Sequence, residues 1–189
     1  MLEIKLQKQE SIFENIFQLH HKRVYNIAFA MLKNIADAED VTQEVFINIF
    51  YAIPQFKEEA QISTWVHRIA VNKCLDHIKA KKRKKRLAFI TSIFDPETGK
   101  QVYDAHNHLH PGAILEQKEA HRILMDAIDL LKISQKTAFV LCQIEKLSQK
   151  EVAAIMEISE KAVESLNHRA KEKLRIILGK FYLKSKVNR

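Results

Sequence analysis

Residues 148–175 read SQKEVAAIMEISEKAVESLNHRAKEKLR, and the periodicity inside this stretch decides what kind of fold the chain adopts. Ser148 followed by Glu151 is a capping-box pattern: the serine oxygen accepts a first-turn N–H while the glutamate reaches back to the cap. The helix it starts is short, because the apolar rhythm breaks at Glu157 and Ile158. Ser159 can cap a longer segment in which Val163, Leu166, Ala170, Leu174 and Ile177 recur at helical spacing. Lys161, Glu164, Ser165, His168, Arg169 and Lys171 then lie largely on the opposite side. A short helix, a three- or four-residue turn and a longer amphipathic helix make a helix-turn-helix pattern. The second helix of such a unit reads base edges from its N-terminal turns, where Lys161, Ser165 and His168 stand, while Arg169 and Lys171 suit phosphate contacts. An ordinary helical hairpin with a solvated face has the same periodicity, so the stretch alone leaves both readings open.

The rest of the 189-residue chain is consistent with an all-α protein. It holds three glycines and three prolines, too few punctuators for a sheet with many turns. Pro96, Gly99, Pro111 and Gly112 fall together, so residues 87–112 read as a flexible linker between two small helical domains, residues 10–86 and 113–180. Within that linker, residues 89–103 admit a small hairpin around Pro96 and Gly99, against the blander reading of an irregular tether. Hydrophobic residues make up 47% of the chain, enough for each domain to bury a core.

In the first domain, Ser11 with Glu14 has the form of a capping box, followed by Ile12, Phe13, Ile16, Phe17, Val24, Ile27 and Met31 at helical spacing. A second helix is predicted from about residue 36 to 52, with Asp37, Glu39 and Asp40 at its positive end and Pro54 beyond it. A loop over residues 55–62 precedes a third helix that Ser63 or Thr64 can cap, carrying Trp65, Val66, Ile69, Ala70, Leu75 and Ile78. In the second domain, Leu115, Ile123, Leu124, Ala127, Ile128 and Leu131 mark one helix, and Ser134 can cap the next.

The charge is concentrated. Net charge is +8, and Lys73, Lys79, Lys81, Lys82, Arg83, Lys84, Lys85 and Arg86 face the single acid Asp76 over residues 71–86, leaving the remainder close to neutral. A basic run is often a solvated tail. Here it extends a helix that aligns Arg68, Asn72 and Asp76 or Lys79 on one side, which favours a helix lying along a polyanion. Trp65 has an apolar context that fits a core residue; stacking on an unpaired base is the sharper alternative. Asp40, Gln43 and Glu44 form an exposed polar ridge beside Val41 and Val45, able to receive a basic helix of a protein partner. Cys74 and Cys142 read as buried small hydrophobes, and His106, His108 and His110 beside a Pro-Gly pair read as solvated rather than metal-binding. The charged N-terminus and the lack of a long apolar run lead us to expect a cytoplasmic protein with no membrane insertion.

DAEDVTQEVF at 37–46, ISTWVHRIAVNKCLDHIK at 62–79 with its basic tail, and the helix-turn-helix stretch occur in an order that resembles bacterial RNA polymerase sigma factors, specifically the extracytoplasmic-function subgroup of the sigma-70 family. The resemblance covers roughly residues 10–86 and 115–178. It implies two helical domains, called regions 2 and 4, in a DNA-binding polymerase subunit that is not itself an enzyme and needs no cofactor. It implies that Asp37, Asp40, Gln43 and Glu44 dock on the clamp helices of the largest subunit of core polymerase. Ser63, Trp65, Arg68, Asn72, Lys73, Asp76 and Lys79 would read and melt the −10 element. Lys81, Lys82, Arg83, Lys84, Lys85 and Arg86 would neutralise phosphates. Lys161, Ser165, His168, Arg169 and Lys171 would read the −35 major groove. The linker would thread the RNA exit path, and an anti-sigma partner is expected.

The chain departs from that pattern at Glu157 and at Lys161-Ala162, where the family often has glycine and glycine-threonine, and at Glu164 and Leu166, where basic residues are common. Fewer cations there imply weaker phosphate anchoring of the −35 half. The alternative reading is a stand-alone helix-turn-helix regulator, which has no reason to carry DAEDVTQEVF. An adaptor that binds polymerase without reading DNA has no use for the basic run. An enzyme is disfavoured by scattered histidines and by the lack of a phosphate loop or nucleophile elbow.

Overall fold

The computed structural model describes residues 2–56, 61–94 and 114–187, and these contain seven α-helices and no strand. The helices are α1 (Leu2–Leu32), α2 (Ile35–Ala52), α3 (Ile62–Phe94), α4 (Ile114–Asp129), α5 (Ile133–Phe139), α6 (Gln149–Met156) and α7 (Glu160–Val187). A 3-10 turn follows α2 at Ile53–Gln55, where Pro54 occupies a position whose N–H has no helical partner to lose. A π-helical turn, Val140–Ile144, continues α5.

The first unit packs α1, α2 and α3 side by side. Val24, Ile27, Ala28 and Met31 of α1 meet Val41, Val45 and Ile49 of α2 and Val66, Ala70 and Cys74 of α3, all fully or nearly fully buried. A fully buried Val, Ile or Met side chain contributes about 1.5–3 kcal/mol, so this stripe fixes the three-helix arrangement. Phe13, Phe17, Phe46 and Phe50 extend the α1–α2 contact as edge and tilted ring pairs. The second unit packs α4, α5 and α6 on α7 through Ile128, Val140, Leu141, Val152, Val163, Ala170 and Leu174.

Several predicted boundaries move. Ser11 does not open a helix: α1 starts at Leu2, because residues 2–10 are helix formers with no glycine or proline to stop the turn. Asn34 caps α2, accepting from the Asp37 N–H at 2.9 Å, after Lys33 ends α1 in the left-handed region at φ 58°. Neither Ser63 nor Thr64 caps α3, which already begins at Ile62; Thr64 is buried in its first turn. Ser134 lies inside α5, whose cap is Lys132, with the Lys132 N–H donating to Gln135 Oε1 at 3.4 Å. α3 runs on to Phe94, past the predicted linker start at residue 87, since no glycine or proline interrupts it before Pro96. That helix takes up the first half of the suggested hairpin; the remainder, and the three linker histidines, lie outside the described residues.

The helix-turn-helix is built as the sequence predicts. Ser148 Oγ accepts from Glu151 N–H at 3.3 Å, and the Ser148 N–H donates to Glu151 Oε2 at 2.8 Å. Ser159 Oγ accepts from Ala162 N–H at 3.2 Å. Between them Glu157 ends α6 at φ 56°, ψ 43°. A left-handed turn is needed there, and this chain supplies it without glycine at a cost of about 1 kcal/mol.

Candidate nucleic-acid interface

α2 presents Asp40, Gln43 and Glu44 as an exposed ridge over buried Val41, Thr42 and Val45. Thr42 is held inside by donating to Ala38 O at 2.7 Å. Asp37 differs from the others: it faces α3, with Lys81 Nζ at 2.6 Å and His77 Nε2 at 3.5 Å. Partial burial opposes ionisation of Asp37, but the hydrogen bond and charge of Lys81, with help from His77, win and hold its carboxyl below the usual range. Glu44 pairs with Lys73 at 3.3 Å, so the acidic ridge and the basic helix are tied directly.

On α3, Val66, His67, Ala70, Val71 and Cys74 form the buried stripe, which turns Asn72, Asp76 and Lys79 outward and leaves Arg68 half-buried. Asp76 and Lys79 pair with each other at 3.2 Å. Ser63 and Trp65 are half-buried; the Trp65 ring lies 4.8 Å from that of Phe56 and packs against the core, as the blander reading expects. Lys81, Lys82, Arg83, Lys84, Lys85 and Arg86 are all exposed on a continuous helix. The basic run is therefore a rigid rod of charge issuing from the core.

His67 is the residue of α3 that the sequence did not single out. It is 1% exposed and its Nε2 has no hydrogen-bond partner. Burial, then the charges of His20 and Arg23, push its pKa down to about 4, against a weak opposing pull from Glu151. The Cys74 thiol is pushed up to about 12 by burial, an inert packing residue, and burial also raises Cys142.

α7 lays Val163, Asn167, Ala170 and Leu174 inward. Lys161, Glu164, His168, Arg169 and Lys171 are exposed and Ser165 is half-exposed. Lys161, Ser165, His168 and Lys171 line one open concavity of about 460 Å³ with Gln149 of α6, so both helices of the motif contribute to one surface. Glu164 sits in the same concavity and lowers its positive charge. This is where the departure from the family pattern falls.

Arg68 turns toward the second unit, its Nη1 2.9 Å from Glu157 Oε1 and its Nη2 donating to Ala154 O at 2.7 Å. Other pairs that sequence reasoning missed join the units: Arg23 with Glu145 at 3.3 Å and Lys33 with Asp126. A local signal existed for Glu145, an acid in the apolar run LCQIEKL, but nothing in the sequence names Arg23 as its partner. Among the described residues no group of three or more His, Cys, Asp or Glu side chains forms a candidate metal site, and no helix is long and apolar enough to cross a membrane.

Two helical units, an acidic ridge feeding into a basic helix, and a helix-turn-helix further along the chain define a DNA-binding transcription protein. The Sigma-70 region 2 model matches residues 16–84 and the Sigma-70 region 4 model matches residues 121–174. The chain is 30% identical over 168 residues to the ECF RNA polymerase sigma factor SigW of Bacillus subtilis, with 88% of each chain covered. It is 31% identical to SigE of Mycolicibacterium smegmatis over 168 residues, covering 89% of this chain and 62% of that one, so the chain spans less than two thirds of that relative's length. In fold it is similar to the sigma factor RpoE of Bartonella quintana, solved with the anti-sigma factor NepR, at a TM-score of 0.66 and 17% identity, over 88% of this chain and 96% of that one. It is also similar to CnrH, solved with the cytosolic domain of CnrY, at a TM-score of 0.64 and 22% identity, over 90% and 89% of the two chains. The chain belongs to the extracytoplasmic-function branch of the sigma-70 family of transcription initiation factors.

Proposed function

We infer that this protein is an alternative sigma factor that binds core RNA polymerase, carries it to promoters with −35 and −10 elements and initiates transcription without catalysing a reaction itself. The observation that supports this most is the presence, in order on one chain, of a region 2 and a region 4 match whose expected contact residues are exposed or half-exposed. Asp40, Gln43 and Glu44, with Asp37 at the edge, take the polymerase clamp helices. Their acidic ridge gives orientation and on-rate more than raw affinity.

Ser63, Trp65, Arg68, Asn72, Lys73, Asp76 and Lys79 take the −10 strand. Lys81, Lys82, Arg83, Lys84, Lys85 and Arg86 neutralise phosphates along it. Lys161, Ser165 and His168 face the −35 base edges and Arg169 and Lys171 the flanking phosphates. The unit boundaries 10–86 and 113–180 serve as working divisions for this assignment. The working compartment is the cytoplasm, where polymerase is, and an anti-sigma factor is the expected negative partner.

Reconstitution tests the reading. Purified chain plus core polymerase on a library of promoter-sized genomic fragments should give initiation from a small set sharing two short upstream elements. No initiation on any fragment, with tight duplex binding by the chain alone, favours the stand-alone regulator instead.

A further inference from the structure

The basic rod of α3 has two sides with different surroundings. Lys81, Lys82 and Lys85 share one side of the helix with His77 and Ile78, because residues three and four apart fall on the same face. Arg83, Lys84 and Arg86 take no part in that side. Between it and the second unit lies a cavity of about 240 Å³. Lys136 of α5 and Asp129, the last residue of α4, form the facing wall, and Met31, Leu131 and Ile133 add apolar surface. The charged lining, His77 aside, is four lysines against one aspartate.

Lys136 is the unusual member. It is 4% exposed, and Asp129 Oδ1 at 2.6 Å is its one side-chain acceptor among the described residues. An ammonium has three N–H donors, so that carboxylate uses one and leaves two. The Asp129 side chain is 56% exposed, so solvent screens its charge and compensates Lys136 only in part. A buried charge is costly unless it is paired and fully hydrogen-bonded. Lys81 is already held by Asp37 at 2.6 Å. Lys82 and Lys85 have no acidic partner among the described residues. Three ammonium groups thus converge on one cavity with a single, half-solvated carboxylate between them.

We propose that this cavity is a binding site for a compact di- or triphosphate, either free or as the phosphate chain of a nucleotide. Lys82 and Lys85 hold the chain from the α3 side and Lys136 from the α5 side. Phosphate oxygens make charge-assisted hydrogen bonds, and a short phosphate chain carries enough of them for three ammonium groups. The volume lies below the roughly 300–1,000 Å³ of pockets that take drug-sized ligands, which suits a short phosphate chain. Buried Met31 and Leu131 lower the local dielectric and strengthen each such bond. Ile133, 38% exposed, offers a base an apolar surface. A duplex lying on the exposed rod meets Arg83, Lys84 and Arg86; it does not reach an ammonium as buried as that of Lys136. The site does not rest on the sigma-factor reading, because it needs only the packed chain.

Calorimetric titration of the full chain at constant ionic strength, with tripolyphosphate, ATP and adenosine, tests the proposal. Tripolyphosphate and ATP should each bind once per chain, and adenosine should not bind. Equal affinities would support the phosphate chain alone as the ligand; tighter binding of ATP would support a nucleotide held also by Leu131 and Ile133. Lys136→Met should weaken binding about tenfold, the loss of one charge-assisted hydrogen bond. Lys82→Gln with Lys85→Gln, both at exposed positions, should weaken it about tenfold or more. Arg83→Gln with Arg86→Gln removes the same charge outside the cavity and should weaken it less than about threefold. Equal losses in the two double variants would show a nonspecific polycation and overturn the proposal. No saturable binding, adenosine binding as tightly as ATP, or full affinity in folded Lys136→Met would overturn it as well. If Lys136→Met does not fold, the contrast between the two double variants decides.

Discussion

On α3, Arg68 is paired with Glu157, Lys73 with Glu44, Lys79 with Asp76 and Lys81 with Asp37. On α7, none of Lys161, His168, Arg169 and Lys171 has an acidic partner among the described residues. DNA contact by the first set is an exchange of one anion for another, with a modest net gain. Contact by the second set releases counterions outright and carries the full salt dependence. Both helices also carry buried side-chain atoms without a hydrogen-bond partner, His67 Nε2 and Arg68 Nε on α3 and Asn167 Oδ1 on α7. Of these residues, His67 is the one whose pKa is displaced, which puts an acid-sensitive group on α3.

The largest expected effect tests that asymmetry. Folded His67 takes up its proton only near pH 4, whereas an unfolded histidine does so near 6.5. Between those values the unfolded chain binds more protons, so stability falls as pH falls through this window, by up to about 3 kcal/mol at its lower end. Glu145, raised by burial, acts with the opposite sign, because its folded form holds a proton to higher pH than the unfolded chain. Substituting His67→Phe isolates its share: denaturant melts from pH 7 to pH 4 should lose a large part of the slope, leaving the part set by His20, whose pKa is lowered by burial and by Arg23. An unchanged slope would mean that His67 is solvated and that α3 and α7 do not differ in this respect.

The next effect, in promoter affinity, contrasts the basic rod with α7. Replacing Lys82, Arg83, Lys84, Lys85 and Arg86 by glutamine should lower promoter affinity of the reconstituted holoenzyme on the order of a hundredfold and flatten the log–log salt slope by about four. Arg169→Gln with Lys171→Gln should flatten it by at most about two, with a roughly tenfold loss. Equal slopes from the two variants would show that the rod does not lie along DNA.

How much of this was legible beforehand depends on the range of the interaction. The capping box at Ser148 and Glu151, the cap at Ser159 and the buried stripe of α7 are set within a few residues, and the sequence contains all the groups involved. The break at Glu157 was legible as a break in periodicity. Helix starts that depend on the absence of a stop signal were not: Ser11 looks like a cap, yet residues 2–10 stay helical because nothing opposes them. The exposure of most candidate residues was legible because helical spacing fixes which side a residue faces. Their partners were not. Arg68 and Glu157 are far apart in sequence, as are Arg23 and Glu145, and an ion pair leaves no periodic trace. The sequence reading treated the units as tethered, and the seam that joins them is visible only in three dimensions.

A smaller effect separates local from seam stability. Ser148→Ala removes the acceptor for the Glu151 N–H and one hydrogen bond to its carboxylate. It should cost about 1 kcal/mol. Hydrogen exchange should place that loss in α6 and α7 and leave α1 and α2 protected as before. Loss of protection spreading evenly over both units would mean that they unfold as one.

The smallest effect is the most discriminating. Glu157 holds a left-handed conformation at φ 56° and also an ion pair to Arg68. Glu157→Gly relieves the backbone and loses the pair; Glu157→Gln keeps the backbone cost and loses the same pair. The difference between the two variants is therefore the backbone term, about 1 kcal/mol in favour of glycine. Against the unaltered chain, Gly should melt slightly higher and Gln slightly lower, because an exposed pair contributes under about 1 kcal/mol. Both should loosen the seam equally. If Gly and Gln melt alike, the turn between α6 and α7 carries no backbone cost. If only Gln loosens the seam, the glycine turn holds Arg68 through the Ala154 carbonyl alone, and the carboxylate of Glu157 is not what fastens the α3 face.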